Sequence, residues 1–267
     1  MANIGNGHGM FKRINHYWRI LGTGISFVVF GIGGILFRII VFPLLNILIW
    51  NQQLRIIYAR RIIRFAFRVF ADLMSFLGVL RYNIHGLERL ERKGLLILAN
   101  HPTLIDTVFL MAFVKQADCI IKSALWHNPF TRGSVRAAGY ICNDDGPGLI
   151  EDCSASLNNG NNLIIFPEGT RTARDGIMEF KRGAANIAVR GKHNVTPIVI
   201  RSVPLTLVRG EKWWQVPPTK PVITIEVQED IEVQTFLTRA GSEILAARQL
   251  TEYLQDYFMK ENNNAKT

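Results

Sequence analysis

Between residues 21 and 53 the chain carries a single charge, Arg38. Residues 21–37 are 17 uncharged residues, and a second uncharged run covers 39–53. Crossing a bilayer takes about 20 apolar residues, so the first run is at the short end for a span. Gly22, Gly24, Gly31, Gly33 and Gly34 would weaken a helix in water, yet glycines are tolerated where helices pack closely in lipid. Pro43 calls for a bend or break. The expectation is one span, or a helical pair that enters the membrane and returns. No small-residue cleavage pattern follows a short apolar region, so a removable secretory signal is not expected.

Residues 55–70 are basic and amphipathic. Arg60, Arg64 and Arg68 recur on one helical face, with Ile56, Ile63, Phe67 and Phe70 opposite. This pattern suits a helix lying in the headgroup layer, where each arginine near an anionic leaflet adds about 1 kcal/mol of attraction. The net charge is +10, and residues 1–81, with ten basic residues and Asp72 as the one acid, hold nearly all of it. Nucleic acid is the competing partner for such charge. It is disfavoured because the arginines alternate with large apolar side chains beside a membrane-like run. Positive charge on this side places the helix at the cytoplasmic face.

From Tyr82 the composition changes. Short apolar runs at 82–85, 95–99, 119–122, 140–142, 162–166, 196–200 and 222–227 predict strands. Helix-length segments lie between and after them, at 104–115, 129–138, 148–157, 180–190 and 241–259. The alternation implies an α/β fold, a largely parallel central sheet flanked by helices and preceded by the membrane-associated helical segment. Three units follow: 1–81 for the membrane segment, 82–260 for the α/β domain and 261–267 as a disordered, Asn-rich tail. Leu245, Leu250, Leu254 and Phe258 are spaced to pack the last helix on the sheet. Cys119, Cys142 and Cys153 are odd in number and lack metal-ligand spacing, so buried thiols are expected rather than disulfides or a zinc site.

The chemistry is concentrated at two strand ends. The run 94–99 leads into Asn100-His101-Pro102-Thr103-Leu104-Ile105-Asp106. On a continuous helix an i, i+5 pair would point apart, since five residues turn through about 500°. The two meet if His101 precedes a helix whose first residue is Pro102. Asp106 could then hold one ring nitrogen and leave the other facing substrate, a general base that acts on a substrate hydroxyl. Spacing alone equally allows a turn-capping histidine near an unrelated aspartate. The second motif, Phe166-Pro167-Glu168-Gly169-Thr170-Arg171, follows the run 162–165. Glycine suits a tight turn, and the Arg171 fork suits a phosphate. In parallel sheets the ligand crevice lies outside the carboxyl ends of the strands, so both motifs would share it.

With these residues in view, the chain resembles the glycerophospholipid acyltransferases of the 1-acylglycerol-3-phosphate acyltransferase type. The resemblance covers roughly 94–197. It rests on Asn100-His101 with Asp106, and on 166–171 about 65 residues later. Further agreement comes from Lys122-Ser123-Ala124-Leu125-Trp126 with Pro129 beyond, from Phe180-Lys181-Arg182-Gly183-Ala184, and from the 195–200 block. It implies transfer of an acyl chain from a thioester, on coenzyme A or acyl carrier protein, to a lysophospholipid hydroxyl. His101 would be the base and Asp106 its partner, both catalytic. Glu168, Gly169, Thr170, Arg171 and Lys122 would bind the acceptor, and Pro197 would lie on the acyl-donor side. No cofactor or metal beyond the thioester co-substrate is implied. The setting would be a membrane enzyme with its catalytic domain on the cytoplasmic face, as at a bacterial inner membrane.

In that family the stretch matching 139–145 commonly ends in an arginine that helps hold the acceptor phosphate. Asp145 stands there in this chain, preceded by Asp144. A different acceptor in a specialised lipid pathway would fit that exchange, as would Arg132 or Arg136 taking over the role. A non-catalytic membrane scaffold is the alternative of another class, and the intact His101, Asp106, Glu168 and Arg171 speak against it. His8, His16, His85, His127 and His193 lack a carboxylate at motif spacing and read as surface or core residues. Lys212 with Trp213 and Trp214 suits either a lipid interface or a packed loop before Pro217 and Pro218.

Overall fold

The computed structural model describes residues 5–127, 131–143 and 148–264. The uncharged run forms one long helical element. Helix α1 (Gly5–Leu36) passes through a π turn at Phe37–Val41 into α2 (Phe42–Leu48), which has Pro43 in its first turn. Pro43 thus lies inside a continuous helical element, where its missing N–H breaks the backbone ladder directly after the π turn. The stretch Met10–Leu48 is long and apolar enough to cross a membrane, and little of it is buried. Asn51 then caps α3 (Gln52–Phe76) by accepting the Leu54 N–H, and α3 runs back against α1. Phe30 packs on Phe67 and Phe70 across the pair.

Of the arginine face of α3, expected at lipid headgroups, Arg60 turns inward while Arg68 stays exposed. Arg60 is buried, with its guanidinium 2.8 Å from Asp118 and donating to the Ala138 carbonyl at 2.8 Å. Arg68 lies over the Phe113 ring and pairs with Asp72. The exposed side of α3 also carries Leu54, Tyr58, Phe65, Val69 and Phe76. Ile63, Phe70 and Met74 turn inward with Arg60. Ile63 and Phe70, expected opposite the arginines, thus share the buried side with Arg60, whose partner Asp118 is distant in sequence.

All seven expected strands are present: β1 (Arg81–His85), β2 (Leu96–Ala99), β3 (Ala117–Lys122), β4 (Ile141–Asn143), β5 (Asn162–Ile165), β6 (Val195–Val203) and β7 (Val222–Val227). They form one sheet in the order β1-β7-β6-β2-β5-β3-β4. The five from β6 to β4 run parallel, while β7 is antiparallel to β6 and carries β1 beside it in its own direction. The sheet is therefore mixed and mostly parallel, with residues alternating between two buried faces. Ile97, Ala99 and Ile164 face the side covered by α3 and by α4 (Asp106–Phe113). Leu96, Leu98, Leu163 and Val199 face α7 (Leu149–Asn158), α8 (Gly183–Gly191) and α10 (Glu243–Asn264).

Three short elements were not foreseen: α5 (Ser123–His127), a 3₁₀ turn at Leu87–Glu91 and α9 (Val233–Ala240). Of the expected helix 129–138, α6 (Arg132–Ala137) is described, and Pro129 lies outside the described residues. The tail is ordered further than expected. Helix α10 continues to Asn264, and the Glu261 carbonyl accepts from Arg201 at 2.7 Å. Within α10, Leu250, Leu254 and Phe258 are buried as expected, whereas Leu245 is exposed.

Candidate active site

His101 and Phe166 stand just past the carboxyl ends of the paired strands β2 and β5. Their rings stack with centroids 4.2 Å apart. Nδ1 of His101 is 2.9 Å from Asp106 Oδ2. The i, i+5 pair meets by a different route from the one expected. Pro102 does not open a helix; the chain turns through 102–105 and α4 begins at Asp106. Thr103 donates its N–H to Asp106 Oδ2 at 2.6 Å and its hydroxyl to Oδ1 at 2.5 Å. The acid at the first position of α4 thus reaches back to the main chain and hydroxyl of the turn before the helix. That reach-back turns the carboxylate toward the imidazole.

Asp106 is fully buried. Burial pushes its carboxyl above the ordinary value, opposed first by the hydrogen bond and charge of His101 and then by the two bonds from Thr103. An ionised Asp106 can only accept, so it selects the tautomer with the proton on Nδ1. Nε2 is then the basic nitrogen.

Glu168 is buried as well, and its Oε1 accepts twice. One donor is the His101 main-chain N–H at 2.9 Å and the other is the Thr172 hydroxyl at 2.8 Å. The Thr172 N–H closes the circuit by donating to the His101 carbonyl at 2.8 Å. Glu168 thus braces the histidine loop from the neighbouring strand end. Burial raises its carboxyl too, against the pull of the His101 N–H and Thr172. Gly169 turns at φ +66°, in the left-handed region that favours glycine. A β-carbon there would also come within 3.2 Å of Lys181 Nζ. Gly169 and Thr170 are exposed at the turn. Arg171 donates Nη1 to the carbonyls of Leu207 and Val208, both at 3.1 Å, and so ties the loop after β6 to the motif.

The remaining expected residues spread along the same sheet. Lys122 is the exposed last residue of β3, two strands from β2 and hence about 10 Å across the sheet. Pro197 is buried inside β6 beside Leu98 of β2. Its carbonyl accepts from Gln228, but it has no N–H to return, and the ladder with β7 ends one residue later, at Ile198. Arg136 lies over the Trp126 ring. Asp144 and Asp145 fall outside the described residues.

Sequence reading assigned no role to Thr103, Thr172, Asn100 or the Phe166 ring. The short Thr103-to-Asp106 spacing was the available signal for Thr103. Asn100 clasps Ile200 on β6 through both its amide groups, a long-range contact that no local pattern announces. Beside the site, a cavity of about 140 Å³ is lined by Asn100, Pro102, Thr172, Met178, Ile200 and Val203. Among the described residues no three His, Cys, Asp or Glu side chains come together to ligate a metal.

Residues 81–201 match the acyltransferase family model, and they contain every motif residue described above. Over those residues, less than half of the chain, it is similar to that family. A 1-acyl-sn-glycerol-3-phosphate acyltransferase of Helicobacter pylori is 30% identical over 132 residues, 47% of this chain and 56% of that protein. One of Pseudomonas aeruginosa is 30% identical over 125 residues, 45% of this chain and 49% of that protein. The chain spans about half the length of the curated relatives it matches. Over nearly its whole length the chain shares a fold with the crystal structure of the 1-acyl-sn-glycerophosphate acyltransferase PlsC from Thermotoga maritima. The TM-score is 0.69 at 20% identity, covering 96% of this chain and 98% of that one.

Proposed function

We propose that the protein transfers a fatty acyl chain from an acyl thioester, on coenzyme A or acyl carrier protein, to the hydroxyl of a lysophospholipid such as 1-acylglycerol-3-phosphate. The observation that carries this reading is the His101–Asp106 pair, with a buried carboxylate on Nδ1 and the other ring nitrogen left as base. Nε2 takes the acceptor's proton as its oxygen attacks the thioester carbon, and Asp106 stabilises the imidazolium that forms. Collapse of the tetrahedral adduct breaks the carbon–sulfur bond, and the imidazolium returns its proton to the departing thiolate. No enzyme nucleophile is required, because the thioester is already an activated acyl group.

In this reading Glu168 fixes the backbone at His101. Arg171, Lys122 and the Gly169–Thr170 turn serve the acceptor headgroup, and Pro197 belongs to the donor side. The exposed apolar surface of α1 and α3 holds the domain at a membrane, with catalysis on the cytoplasmic face.

Transfer of a labelled acyl chain to lysolipid by membranes containing the protein tests the proposal. His101→Ala should abolish transfer while the protein is still expressed, and full activity in that variant would overturn it. A control lacking acceptor separates transfer from thioester hydrolysis.

A further inference from the structure

The loop joining β6 to β7 rises from the carboxyl edge of the sheet, beside the His101 loop. Leu207 accepts the Leu104 N–H and the Arg171 guanidinium, so the base of this loop is fixed to both motifs. Its outer part exposes Leu205, Trp213 and Trp214, beside the exposed Val203 at the end of β6. Arg209 and Lys212 are interspersed with them, and the Lys212 ammonium sits 5.0 Å from the Trp214 ring centre. Leu104 adds a further exposed apolar side chain from the His101 loop itself.

The same loop is attached to the apolar amino-terminal helix. Arg19 of α1 donates to the carbonyls of Pro217 and Pro218 at 3.1 and 2.5 Å. The Trp213 ring lies against Gly24, where a β-carbon would come within 3.2 Å of it. On either side of this joint α1 exposes Trp18, Leu21, Ile25 and Val28. The apolar surface is therefore continuous from α1 onto the loop. Aromatic rings that pair an apolar body with a polar tip, set among cations, are the composition of a membrane–water boundary.

We propose that the loop after β6 is a second membrane-contact element. Trp213, Trp214 and Leu205 enter the headgroup layer, Arg209 and Lys212 meet lipid phosphates, and the site at His101 opens at the lipid surface. The partner is a bilayer, because the patch continues a helix of membrane-spanning length and carries the cations that lipid phosphate attracts. The proposal rests on the reading that α1 is in lipid, and it extends lipid contact to the catalytic domain.

The full chain in vesicles of zwitterionic lipid with about one-fifth anionic lipid provides the test. Lipids brominated near the headgroup should quench part of the tryptophan emission, and Trp213→Phe with Trp214→Phe should remove a measurable share of that quenching. Unchanged quenching overturns the proposal. In turnover, Trp214→Gln, which spares the packing of Trp213 on Gly24, should lower the rate roughly ten-fold on vesicle-borne acceptor. It should leave the rate unchanged on a short-chain acceptor kept monodisperse. Equal loss on both acceptors overturns membrane contact in favour of a structural role, and a change in the mass of the assembly with unaltered quenching gives the face to a second copy. If wild type acylates neither acceptor, the acyl-transfer reading fails while the quenching result still decides the membrane contact.

Discussion

At the scale of single residues, Asp106 and Glu168 are two buried carboxylates with different tasks. Asp106→Asn removes the charge that would stabilise an imidazolium: Oδ2 accepts from both Nδ1 and the Thr103 N–H, so the amide oxygen takes that place and its NH₂ meets the Thr103 hydroxyl. Acyl transfer should fall roughly 1,000- to 10,000-fold in that variant, measured as initial rate at saturating donor. Glu168 acts through one oxygen that accepts two hydrogen bonds, and the Gln amide oxygen can do the same. Glu168→Gln should therefore stay within a few-fold of wild type, whereas Glu168→Ala, which leaves the His101 N–H unpaired, should lose roughly 100-fold or more. Equal loss in both would show that the charge matters more than the brace.

The same burial has a pH signature. Both carboxyls are held above their ordinary values, so the folded state binds these protons more tightly than the unfolded chain does. That contribution to stability is fully present below the unfolded carboxyl values, near pH 4, and is lost as pH rises through the folded ones. The melting temperature of Asp106→Asn should therefore gain on wild type as pH rises above about 4.

At the scale of elements, the joint between α3 and the sheet is an ion pair closed to water. Arg60 and Asp118 side chains are 4% and 3% exposed, and Asp118 also accepts from Ser156 at 2.6 Å. Removing one partner of such a pair typically costs about 3–5 kcal/mol, because the other is left buried and unpaired. Asp118→Ala should lower the denaturation midpoint accordingly. Replacing the pair together, by Arg60→Met and Asp118→Leu, should recover most of the loss. The arginine repeat of α3 was legible in the sequence, and so was its amphipathic character. That Arg60 serves the domain was not, because its partner lies 58 residues away on another strand.

At the scale of the whole molecule, helical segment and α/β domain share one core. Ile63, Phe70, Ala71 and Met74 of α3 belong to the same buried cluster as Phe109 of α4 and Ile97 of β2. A fragment beginning at residue 77 would expose that face of α4 to water. It should therefore fail to give a soluble, cooperatively folding domain, whereas the full chain in detergent should melt in a single transition. Two independent transitions in the full chain would contradict this.

The sequence by itself determined the sheet and the candidate chemistry. Seven apolar runs became seven strands, and the two motifs at strand ends came together, because alternation and strand-end placement are local properties that parallel pairing converts into proximity. Only the tertiary structure decided how those residues are held. Thr103 aims Asp106, Glu168 braces His101 from the next strand, Arg171 anchors the loop after β6, and Arg60 faces inward. Each of these is set by which partner a buried polar group finds. Apart from the short reach of Thr103, those partners lie tens of residues away, where no periodicity extends.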